Sequence, residues 1–126
     1  MNGLHILAEF HDCRGDRRLL LEASMLAARC RDACAEAGLL VVAEAFHQFR
    51  GAGATGALVL AESHLAIHTW PEMDAVTLDL YVCNYSQDNR AAAEAAFEAL
   101  RKDLQPARIV RRDIARGEIE TRATPT

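Results

Sequence analysis

The sequence predicts an α+β fold, a two-layer sandwich in which two helices cover one face of an antiparallel sheet. Short apolar–polar alternations recur along the chain, two longer stretches repeat at helical spacing, and the middle connections are too short for parallel crossovers. The 126 residues suffice for one domain, residues 1–126. With 51% apolar and 25% charged residues, the chain reads as globular, not disordered. A chain this small has no layer left for the second face of the sheet. Two sheets packed together in a homodimer are the expected solution.

The elements follow in order. Leu4 to His11 alternates through Leu4, Ile6, Ala8 and Phe10 as a strand. Arg14-Gly15-Asp16 marks a turn, with Asp16 placed to cap a helix over about residues 17–37. Leu19, Ala23, Leu26, Cys30, Ala33 and Ala37 form its apolar face, and Gly38 ends it. A strand is expected from Leu39 to Phe49, then a loop at Gly51, Gly53 and Gly56. Short strands follow at Ala57–Ala61 and Leu65–Trp70, the latter stopped by Pro71. Val76, Leu78, Leu80 and Val82 alternate through another. The spacing of Ala93, Ala96, Phe97, Leu100 and Leu104 predicts a helix over residues 88–104. Ala107 to Ile114 makes the last strand, and residues 122–126 read as a frayed tail.

Charge and composition exclude several functions. A net charge of −4 argues against a broad basic face for nucleic acid. No apolar run approaches a membrane span. Met1-Asn2-Gly3-Leu4-His5 lacks a basic stretch followed by an apolar one, so no signal peptide is expected and the cytoplasm is the expected compartment. Cys13, Cys30, Cys34 and Cys83 include no Cys-x-x-Cys pair and are expected as thiols. Cys30 and Cys34 read as buried small residues and not as a metal pair.

The chemistry-bearing segment runs from Ala61 to Glu72, with Ser63, His64, His68, Trp70 and two carboxylates inside twelve residues. On a strand, His64, Ala66 and His68 share one face, and Ser63, Leu65 and Ile67 the other. A break at Glu62-Ser63 would let Ser63 and His68 converge. Residue types alone leave three readings open. A Ser–His–carboxylate triad lacks a Gly-x-Ser-x-Gly elbow. A His64–His68 metal pair suits a helix better than this strand. A polar-edged strand without chemistry is the third.

The order Glu62-Ser63-His64-Leu65, then Ile67-His68-Thr69-Trp70-Pro71-Glu72, resembles the self-processing segment of the prokaryotic S-adenosylmethionine decarboxylases. Ala8-Glu9-Phe10, Phe46-His47-Gln48-Phe49 and Leu78-Asp79-Leu80 leading to Cys83 extend the likeness over nearly the whole chain. The resemblance implies a covalent pyruvoyl cofactor made from Ser63. Its hydroxyl attacks the Glu62 carbonyl, and the resulting ester eliminates to break the chain into 1–62 and 63–126. His68 matches the family's processing base. Cys83 matches the proton donor to the substrate α-carbon. The pyruvoyl carbonyl binds the substrate amine as a Schiff base and acts as electron sink. Glu72 matches a ribose-binding carboxylate and Phe49 an adenine-pocket aromatic. The implied product is decarboxylated S-adenosylmethionine, an aminopropyl donor for polyamine synthesis. The implied assembly is a dimer whose subunits share the active site.

The chain departs from the family in places. Thr55 stands where relatives use a serine to assist processing, adding a methyl group and a stiffer side chain. Met73-Asp74-Ala75 and Asn84-Tyr85 replace residues more typical of relatives. Some relatives decarboxylate ornithine or arginine, and Asp74 or Asp88 would suit the cationic tail of such a substrate. An unprocessed binding homologue is the third reading.

Overall fold

The structure, a computed structural model, describes residues 2–120. The expected tail at 122–126 lies outside the described residues. The elements are β1 (Gly3–Cys13), α1 (Arg18–Leu21), α2 (Ala23–Glu36), β2 (Val41–Gln48), β3 (Ala54–Leu60), β4 (Ser63–Trp70), a 3₁₀ turn (Pro71–Met73), β5 (Ala75–Cys83), α3 (Arg90–Leu104) and β6 (Pro106–Arg116). One six-stranded sheet runs in the order β2-β3-β4-β5-β1-β6, and every pairing is antiparallel. The predicted α+β architecture is therefore present, with the helices on one face.

The apolar alternation decides which side faces the helices. Ile6, Phe10, Leu58, Leu65, Ile67, Val76, Leu80 and Val82 are all fully enclosed. Burial of one such Leu or Ile side chain contributes about 1.5–3 kcal/mol. From above, α3 supplies Ala93, Ala96, Phe97, Leu100 and Leu104, the face that periodicity predicts. Phe97 meets Phe10 edge-on at 5.5 Å, and Arg111 of β6 lies 4.6 Å over the Phe97 ring. Among the described residues, nothing covers the other face. It carries His5, Leu7, Ala66, His68, Asp79 and Ile114, as strand alternation and register require.

Several boundaries depart from expectation, and Gly56 lies within β3 and not in the glycine loop. The predicted helix over 17–37 is broken at Glu22, which is extended (φ −112°, ψ 113°). Backbone groups freed by the break are met from distant strands: Thr69 Oγ1 donates to the Leu20 carbonyl at 2.7 Å, and Gln48 Nε2 donates to the Leu21 carbonyl at 2.7 Å. Local periodicity carries no trace of such partners. Asp16 is not the N-cap, a place taken by Arg17; it stands one residue earlier and accepts the Arg18 N–H at 3.0 Å. At the far end Gly38 takes φ +86°, the Leu39 N–H bonds to Cys34 O, and the Gly38 N–H bonds to Ala35 O. Leu39 is thus spent on closing α2, so β2 starts at Val41 and not at Leu39. β3 and β4 are longer than predicted, because Ala54 and Ser63 already pair with their neighbours.

Candidate active site

Ser63 opens β4 directly after a two-residue turn. Leu60 and Ser63 are ladder partners, so Ala61 and Glu62 form the whole connection. The Glu62–Ser63 peptide bond therefore lies where hairpin turn becomes strand. A pocket of about 100 Å³ adjoins it, lined by Leu39, Leu60, Glu62, Ser63, Ser86 and Asn89 among others. Cys83 closes β5 on the neighbouring strand. Since His64 faces Tyr81 across the ladder, Cys83 lies level with the turn. Its backbone carbonyl accepts from Asn89 Nδ2 at 2.9 Å, and the Asn89 N–H donates to Asn84 Oδ1 at 2.9 Å. Asn89 is one of two buried polar residues in the described structure. Its hydrogen bonds fix the end of β5 and hold Cys83 in place. Burial, and then Cys83 itself, push the Tyr81 phenol above its ordinary range.

His68 lies toward the other end of β4. Thr55 is its direct ladder partner on β3, and Thr55 Oγ1 is hydrogen-bonded to His68 Nδ1. That bond orients the imidazole and leaves Nε2 for other work. Beside it is a cavity of about 310 Å³, lined by Phe49, Gly53, Thr55, His68, Trp70 and Glu72 among others. Phe49 is 46% and Trp70 41% exposed, so two large rings are left open at one cavity. Flat aromatic ligands stack on such rings. Trp70 Nε1 donates to Thr77 Oγ1 at 3.4 Å, and Glu72 sits in the 3₁₀ turn that Pro71 begins.

The structure thus groups Glu62, Ser63 and Cys83 at one end of the sheet. It groups Phe49, Thr55, His68 and Glu72 at the other. Ser63 and His68 do not converge within a chain, because β4 runs unbroken from Ser63 to Trp70. At about 3.3 Å per residue they stand about 16 Å apart, and alternation puts them on opposite faces. Asp74 occupies a left-handed turn position (φ 50°) and pairs with Arg17. Asp88 pairs with Arg90 at 2.8 Å, whose hydrogen bonds hold its carboxyl down at about 2.

Sequence reasoning passes over two residues that the site uses. Trp70 lines the cavity, and the signal was its place as the only tryptophan, inside the motif. Asn89 had no local signal, since its partners lie on another element. His64 is tied to Asp79: Asp79 Oδ2 accepts from His5 Nε2 at 2.8 Å and from His64 Nε2 at 3.3 Å. One ligand atom from each of these three side chains lies within 4.8 Å of the others. Arg116 Nη1 approaches His5 Nδ1 at 3.4 Å, and an arginine can only donate in such a contact.

Comparison with known proteins agrees with this geometry. The family model described as S-adenosylmethionine decarboxylase matches residues 4–117. The S-adenosylmethionine decarboxylase proenzyme of Thermoplasma volcanium is 37% identical over 117 residues, covering 93% of this chain and 85% of that protein. That of Thermotoga maritima is 37% identical over 107 residues, covering 85% and 78%. The crystal structure of the adenosylmethionine decarboxylase from Aquifex aeolicus superposes with a TM-score of 0.83 at 31% identity, covering 98% of this chain and 97% of that one. With fold, motif and nearly the full length in agreement, this chain belongs to the S-adenosylmethionine decarboxylase family.

Proposed function

We propose that the chain is a self-processing, pyruvoyl-dependent S-adenosylmethionine decarboxylase whose active site is shared between two copies. One observation carries the reading. The cleavage residues and the base lie at opposite ends of β4, on a sheet with an uncovered face. A twofold-related copy packed on that face would bring the His68 end of one sheet to the Ser63 end of the other, its imidazole approaching the Ser63 backbone and not the side chain, which points to the helix side.

Ser63 begins the processing. Its Oγ adds to the Glu62 carbonyl, the C–N bond breaks, and an ester joins the two residues. Abstraction of the Ser63 α-proton then expels the Glu62 carboxylate. His68, oriented by Thr55 and supplied by the second copy, is the base for that step. The dehydroalanine left at residue 63 tautomerises and takes up water, losing ammonia. Residues 1–62 and 63–126 become separate chains held by the β3–β4 ladder. The site fits such a group, because Ser63 starts a strand beside an open pocket and Cys83 is fixed on the next strand. A pyruvoyl carbonyl supplies an electron sink for loss of carbon dioxide from an amine-bearing substrate. Cys83 returns a proton to the substrate α-carbon.

Phe49 and Trp70 offer stacking surfaces for adenine, and Glu72 a carboxylate for ribose hydroxyls. A basic amino acid would need a carboxylate free to hold its cationic tail, and Asp74 and Asp88 are both paired with arginine. The product would be an aminopropyl donor for polyamine synthesis. Carbon dioxide release from S-adenosylmethionine, ornithine and arginine, run side by side, tests the substrate. Release from the first alone is expected. Release from either amino acid at a higher kcat/KM overturns the assignment, and a chain that binds nucleoside without release is a binding homologue.

A further inference from the structure

The break at Glu22 leaves the Leu21 C=O and the Ala23 N–H without helical partners. Both are met by one side chain, Gln48, the last residue of β2. The Ala23 N–H donates to Gln48 Oε1 at 2.6 Å, while Gln48 Nε2 donates to the Leu21 carbonyl at 2.7 Å. The same amide nitrogen also reaches the carbonyls of Phe49 at 3.1 Å and Gly53 at 3.2 Å. Its partners fix the orientation of the carboxamide, since an N–H needs the oxygen and three carbonyls need the nitrogen. A carboxylate has no donor for those carbonyls, and an apolar side chain has neither group.

Gln48 therefore joins the helix break to the loop at one wall of the aromatic cavity. The loop closes on itself through the Phe49 N–H to the Gly53 carbonyl at 2.9 Å. Thr69 makes a parallel tie, donating to the Leu20 carbonyl and accepting the Ala54 N–H at 2.8 Å. Gly53 is pressed so close to Thr69 that an added Cβ would stand 2.5 Å from its hydroxyl and 2.6 Å from its carbonyl. Phe49, Ala52 and Gly53 all line the cavity.

We propose that Gln48 is a positioning residue that holds the loop from Phe49 to Gly53 in the shape required for nucleoside binding. This rests on the cavity being the nucleoside site, as inferred above. The Ser63 end of β4 lies outside its reach.

The test uses full-length Gln48→Met and Gln48→Glu. Affinity for 5′-methylthioadenosine is read from Trp70 fluorescence, alongside KM and kcat for S-adenosylmethionine and amide exchange at Ala23 and Phe49. Gln48→Met should raise Kd and KM about tenfold, which corresponds to 1.4 kcal/mol, with kcat and chain cleavage within twofold of wild type. Gln48→Glu should bind weakly at pH 8 and recover relative to wild type toward pH 5, as a protonated carboxyl regains one donor. Unchanged affinity in both variants, a fall in kcat at constant KM, or a pH-flat Gln48→Glu to wild-type ratio overturns the proposal. If Gln48→Met does not fold, the Gln48→Glu pH series decides alone. A wild-type chain that neither cleaves nor binds nucleoside sinks the functional reading instead. Amide exchange then judges the tie: protection lost in the variants upholds it, and protection retained overturns it.

Discussion

Ser63→Ala removes the one oxygen placed to attack the Glu62 carbonyl from its own residue. The variant should persist as a single 126-residue chain on a denaturing gel. Cleaved Ser63→Ala would exclude the acyl shift. Cys83→Ala should still be cut, because the proposed mechanism uses Cys83 only after the cofactor exists. Loss of a positioned proton donor should slow decarboxylation by about a hundredfold, measured as carbon dioxide released per cleaved chain. Thr55→Ser keeps the hydroxyl beside His68 and removes a methyl group, so cleavage should be as fast as wild type or faster. The remaining cysteines are inert by environment. Burial, with Asp74 and Asp12 nearby, pushes the Cys13 thiol up to about 11, burial pushes Cys34 to about 11, and Cys30 is shifted up as well. A raised pKa keeps the thiol protonated through neutral pH, so native protein at pH 7.5 should alkylate at these three far more slowly than protein in urea.

At the level of elements, the period of the sequence was readable wherever burial alone decided structure. The α3 face and the β5 alternation follow directly from the spacing of apolar residues. The break at Glu22 was not readable, because Gln48 and Thr69 hold it from 25 or more residues away. The start of β2 is hidden from local pattern for a related reason. Leu39 has strand character, yet the Gly38 turn takes its N–H back to Cys34. In the site, the motif disclosed residue types and order but not distance. That β4 stays continuous between Ser63 and His68 depends on pairing with β3 and β5, which no local pattern states. Gly53→Ala tests the loop at this scale. Its Cβ would stand 2.6 Å from the Thr69 carbonyl, so the loop must shift, at a cost of about 1–3 kcal/mol. A lower urea midpoint and weaker nucleoside binding should appear together.

For the whole molecule, the separation of Ser63 from His68 makes assembly part of the proposed chemistry. Ala66 sits mid-strand on the uncovered face, between Ala57 and Asp79 across the ladders. Ala66→Arg puts a charge where two sheets would meet, and should give a monomer by sedimentation that no longer cleaves. A monomer that cleaves at the normal rate would place the base within the same chain. Complementation makes the same point with intact surfaces. Ser63→Ala and His68→Ala should each remain uncut alone. Co-expressed, they should yield cleaved His68→Ala chains, cut by the partner's imidazole.

Self-processing is the claim on which the cofactor, the substrate chemistry and the shared site all depend. Denaturing intact-mass analysis of the purified protein reads it directly. Two fragments parting between Glu62 and Ser63, the second with a pyruvoyl in place of its N-terminal serine, are the predicted result. A single unmodified chain after prolonged incubation would contradict it.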